Sequence, residues 1–339
     1  MSVRAKHFLK LLAKGSVAAA LLAWVFSKVD LTDFRQAVRD ARWQYLIGVW
    51  GSTAMFSWVQ SVALRWILKK QDCDVSVNTI FGATCVTSLY GLVVPGFVST
   101  GIKWYILRQT TGKGANVLSA MLYNQIALTV MMMGVGLVGM IVVNPTRVLW
   151  PAAAASWLVP AASGVLLAAI VLVSALILNE RTGGPLVRLL RASLKPLPGA
   201  VREKGGTLLE QIATFQSAGW RFHLAIAAIN LVDSLLVGLL WYWFAARAAS
   251  VVVPTSVLIW LCALVFLLGK LQITVANLGV REVTLVALLA PYGVARSSAL
   301  LMSMILLSSM VFLAALGLVY QLVWALRSRL PWRPSRPCS

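Results

Sequence analysis

The 339-residue chain has few charged side chains, and acidic ones are the scarcest. Charged residues make up 12% of the sequence, about half the share of a typical soluble domain, whereas 60% of the residues are hydrophobic. A water-soluble core of this size cannot bury so much apolar surface, which excludes a soluble enzyme and a disordered chain. The long apolar stretches are helix-length and do not alternate, so we predict an all-α, polytopic integral membrane protein.

Side chains that commonly carry catalysis or bind metals are also scarce. The only histidines, His7 and His223, are far apart in sequence, so we predict no metal site. The cysteines have no zinc-site spacing, and Cys85 and Cys262 lie within apolar stretches as expected of core residues. The sequence has no phosphate-binding loop, no dinucleotide motif and no nucleophile elbow. We therefore expect no cofactor and no enzymatic activity.

Basic residues are abundant: 30 Lys and Arg stand against 10 Asp and Glu, for a net charge of +20. In a membrane protein, this excess is typical of cytoplasmic segments that contact anionic lipid headgroups, so no nucleic-acid partner is predicted. The most basic segments are 1–14, 180–221 and 327–339. We predict that all three are cytoplasmic parts of one domain, 1–339, in the inner membrane, with both termini inside.

Six apolar segments are long enough to cross a membrane. They are residues 12–28, 45–64, 115–143, 153–178, 222–246 and 298–326. The first follows a basic N-terminus but has no cleavage site, so we interpret it as an uncleaved span. Between the first two spans, 30–45 has apolar residues at helical spacing, with Asp30 as N-cap and Asp33 in the first turn, which predicts a helix in the membrane interface.

Two further apolar regions, 79–109 and 252–295, contain residues that break helices. The first is interrupted at Pro95-Gly96 and at Gly101, and the second at Gly279. If 79–109 crossed the membrane fully, the basic 180–221 loop would lie outside, against the positive-inside rule. We therefore predict two re-entrant hairpins, one from each side, in an inverted repeat. Gly101-x-Lys103 and Gly279-x-Arg281, each followed by a further glycine (Gly112, Gly293), support this repeat.

The same regions resemble a known family. The stretch from Leu92 to Leu107, the pair Arg65-Trp66, the turn Ala276–Glu282 and Tyr292-Gly293-Val294 are similar to motifs of the lysylphosphatidylglycerol synthase transmembrane-region family, also called flippase-like domain proteins. The resemblance covers nearly the whole chain in order and spacing. It implies movement of a lipid with a polar head between membrane leaflets.

The sequence departs from that family at several positions. An Asp that often adjoins the first-motif glycine is absent around Gly101, Asn124-Gln125 stand where an acid–Arg pair is common, and Asn277 replaces a second glycine. The soluble aminoacyltransferase domain of the synthase members has no counterpart, so lysine transfer to lipid is not expected. The resemblance therefore does not identify the lipid, and the expected partner is a phospholipid or an isoprenoid-linked lipid.

Four charged residues within these apolar regions are candidates for contact with a lipid headgroup. Arg281 and Glu282 lie at the second break, where they would either bind a headgroup or form a salt bridge or cap that holds the turn. Lys103 would either meet a phosphate or extend to the interface beside two aromatic residues, Trp104 and Tyr105. Asp233 is costly in a span, so we expect it to face a partner or a cavity.

Amide and glycine residues within the predicted spans allow further predictions. Asn230 lies three positions before Asp233, so the two share a helix face, and Asn230 is a fifth candidate for contact with the headgroup. Asn124 and Gln125 are expected to form interhelical hydrogen bonds, and Gly134, Gly136 and Gly139 are expected to allow close helix packing.

Taken together, these features favour a translocase of a lipid or lipid-linked glycan. Two alternatives remain open. The first is a membrane glycosyltransferase with a polyprenyl-linked donor, whose acids would be Asp30 and Asp33. The second is a non-transporting accessory subunit that binds an envelope-synthesis enzyme through 180–221.

Overall fold

The computed structural model describes residues 30–92, 96–149, 157–179, 215–270 and 279–329, together with 182, 184, 185 and 192. Every regular element in these ranges is helical, which confirms the all-α membrane class. The predicted span 12–28, Pro95, most of the basic loop up to residue 214 and the tail after residue 329 lie outside the described residues.

Twelve helices are numbered here in chain order. They are α1 (Leu31–Arg39), α2 (Tyr45–Lys70), α3 (Val77–Gly91), α4 (Gly96–Thr111), α5 (Gly114–Val143), α6 (Thr146–Leu149), α7 (Leu158–Leu178), α8 (Trp220–Val232), α9 (Gly238–Ala248), α10 (Thr255–Lys270), α11 (Val280–Leu289) and α12 (Arg296–Arg329). A five-residue π-helical turn, Asp233–Val237, joins α8 to α9.

Four helices are long and apolar enough to cross a membrane: Gly114–Val143, Leu158–Leu178, Trp220–Ala248 and Arg296–Leu326. They match four of the six predicted spans. The predicted span 45–64 corresponds to α2, which has 26 residues but is less apolar than these four. The total of six full spans therefore stays a prediction.

The amphipathic segment before α2 is the helix that the sequence predicts. Asp30 caps α1 by accepting a 2.7 Å hydrogen bond from the Thr32 backbone N–H, and Asp33 lies in the first turn. The hydrogen bonds from Thr32 hold the pKa of the Asp30 carboxyl below its usual range. The apolar side of α1, with Phe34 and Val38, packs against the core. The N-cap and the helix dipole thus account for two acids of this segment, Asp30 and Asp33.

The first interrupted region is a helical hairpin that returns to the side where it began. At about 1.5 Å per residue, α3 and α4 are each only about 22–24 Å long. α3 starts directly after the loop 71–76, and the residues that follow α4 return to this loop: Lys113 Nζ donates to the Asp72 carbonyl at 3.0 Å and Asn116 donates to the Gln71 carbonyl at 3.1 Å. We call this the Asp72 end of the molecule.

The second interrupted region, α10 and α11, has both its outer ends at the opposite end of the molecule, which we call the Ser250 end. α10 begins just after the loop 249–254 and lies beside the last part of α5, where Gly139 adjoins Trp260. α6, which follows α5, packs against residues 290–292 at the end of α11. The two hairpins therefore enter the helix layer from opposite ends.

Of the three glycines predicted to break these regions, Gly96 is the first residue of α4, as expected of a break, and the other two differ from each other. Gly279 is a true turn: its φ of +86° is a left-handed conformation that favours glycine, and it precedes the first residue of α11. Gly101 was predicted as a break, but it lies inside α4, and this part of the prediction is wrong. A single glycine costs a helix only about 1 kcal/mol, which the surrounding helical residues offset.

Three antiparallel helix pairs hold the core together: α2 with α9, α3 with α12, and α5 with α10. Close approach depends on glycines, as the sequence predicts for Gly136 and Gly139. A Cβ on either residue would lie 2.8 Å from a side chain of α10, and one on Gly317 of α12 would lie 2.3 Å from the Cys85 carbonyl oxygen of α3. Cys85 and Cys262 are buried core residues, also as predicted.

Candidate functional site

A buried polar cluster joins α2, α5 and α8 at the π-helical turn. Gln60 of α2 is at its centre: its Nε2 donates to Asn230 Oδ1 at 2.9 Å and to Asp233 Oδ2 at 2.6 Å. Asn124 of α5 donates to Gln60 Oε1 at 3.4 Å, which is the interhelical bond predicted for it. Gln125 instead donates to Thr129 on its own helix, so the prediction for Gln125 is wrong.

Several oxygen atoms of this cluster have no hydrogen-bond partner among the described residues. Asn230 and Asp233 are 0% exposed, and Ser234 is 4% exposed. The atoms without partners are Asp233 Oδ1, Asn124 Oδ1 and Ser234 Oγ. The π turn places Asp233 and Ser234 at its start, and single π turns within α-helices are frequent at functional sites. The predicted face shared by Asn230 and Asp233 therefore points at a polar partner, as expected.

Arg281 and Glu282 form a second, compact cluster at the start of α11. Arg281 Nη2 donates to Glu282 Oε1 at 2.7 Å, and Arg281 Nε donates to Ser303 Oγ of α12 at 2.8 Å. The other carboxylate oxygen, Glu282 Oε2, accepts from the Gly279 N–H at 2.7 Å. Glu282 is 2% exposed and caps the helix, so its carboxylate is fully engaged in holding the turn. This geometry matches the structural one of the two interpretations.

Lys103 stands apart from both clusters. It lies on α4 near Cys85 of α3, and no hydrogen bond or ion pair joins it to another described side chain. Its neighbour Trp104 is directed to the Asp72 end, where Nε1 donates to the Gly114 carbonyl at 2.8 Å, and Tyr105 is exposed. The aromatic neighbours expected of an interface lysine are therefore in place.

A large apolar groove lies between α5, α7, α8 and α10. Its volume is about 970 Å³, at the upper end of the range of about 300–1,000 Å³ typical of ligand pockets. The wall is almost wholly aliphatic and includes Gly134 and Val138 of α5, Leu167 and Ile170 of α7, and Leu231 of α8. Gly134, predicted to pack closely, instead leaves room here: a Cβ would approach only Leu167, at 3.8 Å.

One polar pair contributes to the groove wall. Tyr123 Oη lies 2.6 Å from His223 Nδ1, while His223 Nε2 has no described partner. His223 is 8% exposed; Phe215 stacks on Tyr123, and Phe222 packs edge-on against the His223 ring. From the sequence, His223 was noted only as one of two histidines that lie far apart. Sequence reasoning also passed over Gln60, although Gln60 is the one amide within α2 and so carried a signal.

The five residues predicted to contact the substrate therefore fall in three places. Asn230 and Asp233 lie together, Arg281 and Glu282 lie together, and Lys103 is separate. No hydrogen bond or ion pair links one of these places to another within the described ranges.

Comparison with known proteins assigns the chain to a family. No curated protein and no solved structure matches it. The profile described as the lysylphosphatidylglycerol synthase TM region matches residues 11–317, which is most of the chain. The chain belongs to the lysylphosphatidylglycerol synthase TM region family.

Proposed function

We propose that this protein moves a lipid or a lipid-linked glycan between the leaflets of the inner membrane. The family points to a lipid-related membrane function, and the apolar groove is the observation that carries the more specific proposal. Its aliphatic wall suits alkyl or isoprenoid chains. The Tyr123–His223 pair offers a polar contact for the part of the lipid next to the chains.

The position of α7 supports entry of a lipid from the side. Only 6% of the most apolar stretch of α7 is buried, and α7 packs mainly against α5 among the described residues. Val165 and Val171 are 72% and 60% exposed. A helix held along one face leaves an opening toward the bilayer, through which lipid tails could move without crossing a polar barrier.

An inverted repeat would supply the two states that alternating access requires. The loops after α2 and α9 share their backbone geometry: φ is +53° at Asp72 and +54° at Ser250. Each loop is closed by the same bond, from Cys73 N to the Leu68 carbonyl at 3.0 Å and from Val251 N to the Ala246 carbonyl at 2.8 Å. Each second residue lies 178 positions after the first, as does Gly279 after Gly101.

Helix contacts repeat with the same spacing of 178 positions along the hairpin helices, and with a spacing of 181 positions along the helices that they adjoin. Gly82 of α3 adjoins Tyr320 of α12, as Trp260 of α10 adjoins Gly139 of α5. Three residues further along each hairpin helix, Cys85 adjoins Gly317 and Ala263 adjoins Gly136. Because α2 and α9 correspond and run antiparallel, a two-fold axis that relates the halves is perpendicular to the helices. Such an axis would lie in the membrane plane, as an inverted repeat requires, and this supports the proposed repeat.

The alternatives gain less from these observations. Asp30 caps α1 and Asp33 lies in its first turn, where the helix dipole favours an acid, so both acids that a glycosyltransferase would use have a structural role. The basic loop of the accessory-subunit interpretation lies largely outside the described residues. We therefore also propose that the chain is a transporter and not an enzyme.

A substitution that fills the groove tests the proposal. Gly134→Phe places a ring in the groove, so exchange of a fluorescent phospholipid or isoprenoid phosphate between leaflets of proteoliposomes should fall about tenfold, as a loss of about 1.4 kcal/mol in binding would cause. Gly164→Phe on α7 is the matched control, because nothing lies within 4 Å of a Cβ there. This control should exchange lipid at the parent rate.

Two results would contradict the proposal. The first is equal exchange by both variants and the parent chain, which would remove the groove from the lipid path. The second is chemical conversion of the lipid by the purified parent chain without any exchange, which would favour the glycosyltransferase.

A further inference from the structure

The polar cluster around Asp233 contains a buried acid but no cationic partner for it among the described residues. An un-neutralised carboxylate inside a membrane span is costly, and such acids usually have a cationic partner or mark an ion or proton path. Asp233 is wholly buried, and its carboxylate receives one described side-chain donor, Gln60 Nε2 at 2.6 Å. The positive charge expected beside it does not come from a described side chain.

The surrounding elements show this directly. The π turn packs against α2, α5, α8 and α9. The other charged or titratable side chains on these four helices are Tyr45, Arg65, Lys69, Lys70, Tyr123, Arg221, His223, Tyr242 and Arg247. None of them has a hydrogen bond or ion pair with Asp233. Arg65 instead lies 3.9 Å from Asp74, and His223 is bonded to Tyr123.

The buried side-chain atoms of Asp233, Asn124 and Ser234 that lack partners are all oxygens. Asp233 Oδ1, Asn124 Oδ1 and Ser234 Oγ are each buried and unpartnered among the described residues. Gln60 Nε2 donates to Asp233, and Gln60 Oε1 accepts from Asn124, so Gln60 bridges the two side chains. One carboxylate with neutral amide and hydroxyl oxygens is a set of hard ligands with a single negative charge.

We propose that Gln60, Asn124, Asp233 and Ser234 bind one monovalent cation, either Na⁺ or a proton on Asp233. One cation neutralises the carboxylate and satisfies oxygens that otherwise lack partners. The site adjoins α5 and α8, which also form two walls of the groove, so occupancy can bias how these helices pack. A role in coupling lipid movement to an ion gradient rests on the proposed function, but cation binding itself does not.

The Na⁺ arm of the test uses the purified full-length chain in detergent. The melting temperature is measured while NaCl replaces choline chloride at constant ionic strength. If Na⁺ binds, the parent chain gains thermal stability in a saturable way, and Asp233→Asn loses this gain. Asp33→Asn makes the same charge change at an exposed position and should keep it. Ser234→Ala retains the carboxylate and should shift the half-saturating concentration upward.

The proton arm uses infrared spectroscopy of the same protein without Na⁺. A protonated Asp233 gives the carbonyl band of an un-ionised carboxylic acid in the difference between the parent chain and Asp233→Asn, and this band shifts in D₂O. If Asp233→Asn does not fold, Gln60→Ala replaces it: loss of the hydrogen bond from Gln60 Nε2 to Asp233 Oδ2 should move the band.

Absence of both the Na⁺ effect and the carboxylic acid band would overturn the inference, because the carboxylate would then be ionised without a cation. Cation binding and lipid translocation are tested separately. A chain that binds the cation but moves no lipid would contradict only the translocase proposal.

Discussion

At the residue scale, Arg281 and Glu282 are adjacent in sequence but have different structural roles. Glu282 accepts hydrogen bonds from the Gly279 backbone, from Arg281 and from Ser303 Oγ, which lies 2.9 Å from Oε1. Arg281 retains 11% side-chain exposure and a second partner in Ser303. The carboxylate is thus the centre of the turn, and the guanidinium is one of several groups that neutralise and bind it.

Substitutions of this pair should therefore differ in their cost. Glu282→Ala leaves a largely buried guanidinium without its counter-ion and uncaps α11, so it should lower stability by about 3–5 kcal/mol. Arg281→Ala should cost less, because Glu282 keeps two of its three donors. The double variant should recover part of the Glu282→Ala loss, since no unpaired charge remains. Melting curves of the three variants provide the measurement, and a Glu282→Ala protein as stable as its parent would contradict this assignment.

The sequence revealed some of these residues and not others, for a physical reason. Arg281 and Glu282 stand out because charge is rare in an apolar region, and the same is true of Asp233. The partner of Asp233, Gln60, lies 173 positions away, so no local pattern could join them. The π turn at Asp233 was not predicted either, since its residues Asp-Ser-Leu-Leu-Val carry no breaker.

At the element scale, the hairpins are positioned by glycines that let long helices approach their backbones. Gly317 lies so close to α3 that a Cβ would be 2.3 Å from the Cys85 carbonyl oxygen and 2.6 Å from its carbon. Backbone atoms cannot rotate away as a side chain can. Gly136 faces a smaller obstacle, the Cβ of Ala263 at 2.8 Å.

Alanine substitutions should rank by these obstacles. Overpacking costs about 1–3 kcal/mol in well-packed cores and occasionally more. We expect Gly317→Ala to be the most destabilising, at the top of this range or above it, and Gly136→Ala to be intermediate. Gly51→Ala, where nothing lies within 4 Å, should be neutral or stabilising because alanine favours helix over glycine. The check is the midpoint of thermal unfolding in detergent, and equal midpoints for Gly317→Ala and Gly51→Ala would contradict the ranking.

At the scale of the whole molecule, the two halves of the proposed repeat have loops after α2 and α9 that resemble each other more in backbone geometry than in residue type. The left-handed positions are Asp72 in one half and Ser250 in the other, and the residues that close these loops are Cys73 and Val251. Only glycine motifs such as Gly101/Gly279 are visible as sequence similarity. The sequence could therefore suggest the repeat, whereas the correspondence of turns and crossings required the fold.

The ends of the helices also bear on orientation. Tyr320 of α12 donates to Asn78 at 2.6 Å, and Gln216 donates to the Ile177 carbonyl at 2.8 Å beside the end of α7. These contacts bring four parts of the chain toward the Asp72 end, where α5 begins: the start of α3, the end of α7, residue 216 and the last part of α12. The basic segments on either side of these points, 103–114, 180–221 and the tail, would then share one side of the membrane, as the positive-inside rule requires.

Cysteine labelling from outside intact cells tests this orientation together with the repeat. Asp74 is 79% exposed in the loop at the Asp72 end, close to Lys69 and Lys70, and Ser250 is exposed at the other end. With an impermeant thiol reagent, Ser250→Cys should label on intact cells, whereas Asp74→Cys should label only after permeabilisation. Both variants are made in a chain that carries Cys338→Ser, because Cys338 lies in the basic tail. That chain gives the background, which should be low for Cys73, Cys85 and Cys262 because all three are buried. Labelling of both variants from the same side would rule out the inverted arrangement, and labelling of Asp74→Cys alone would reverse the orientation while keeping the repeat.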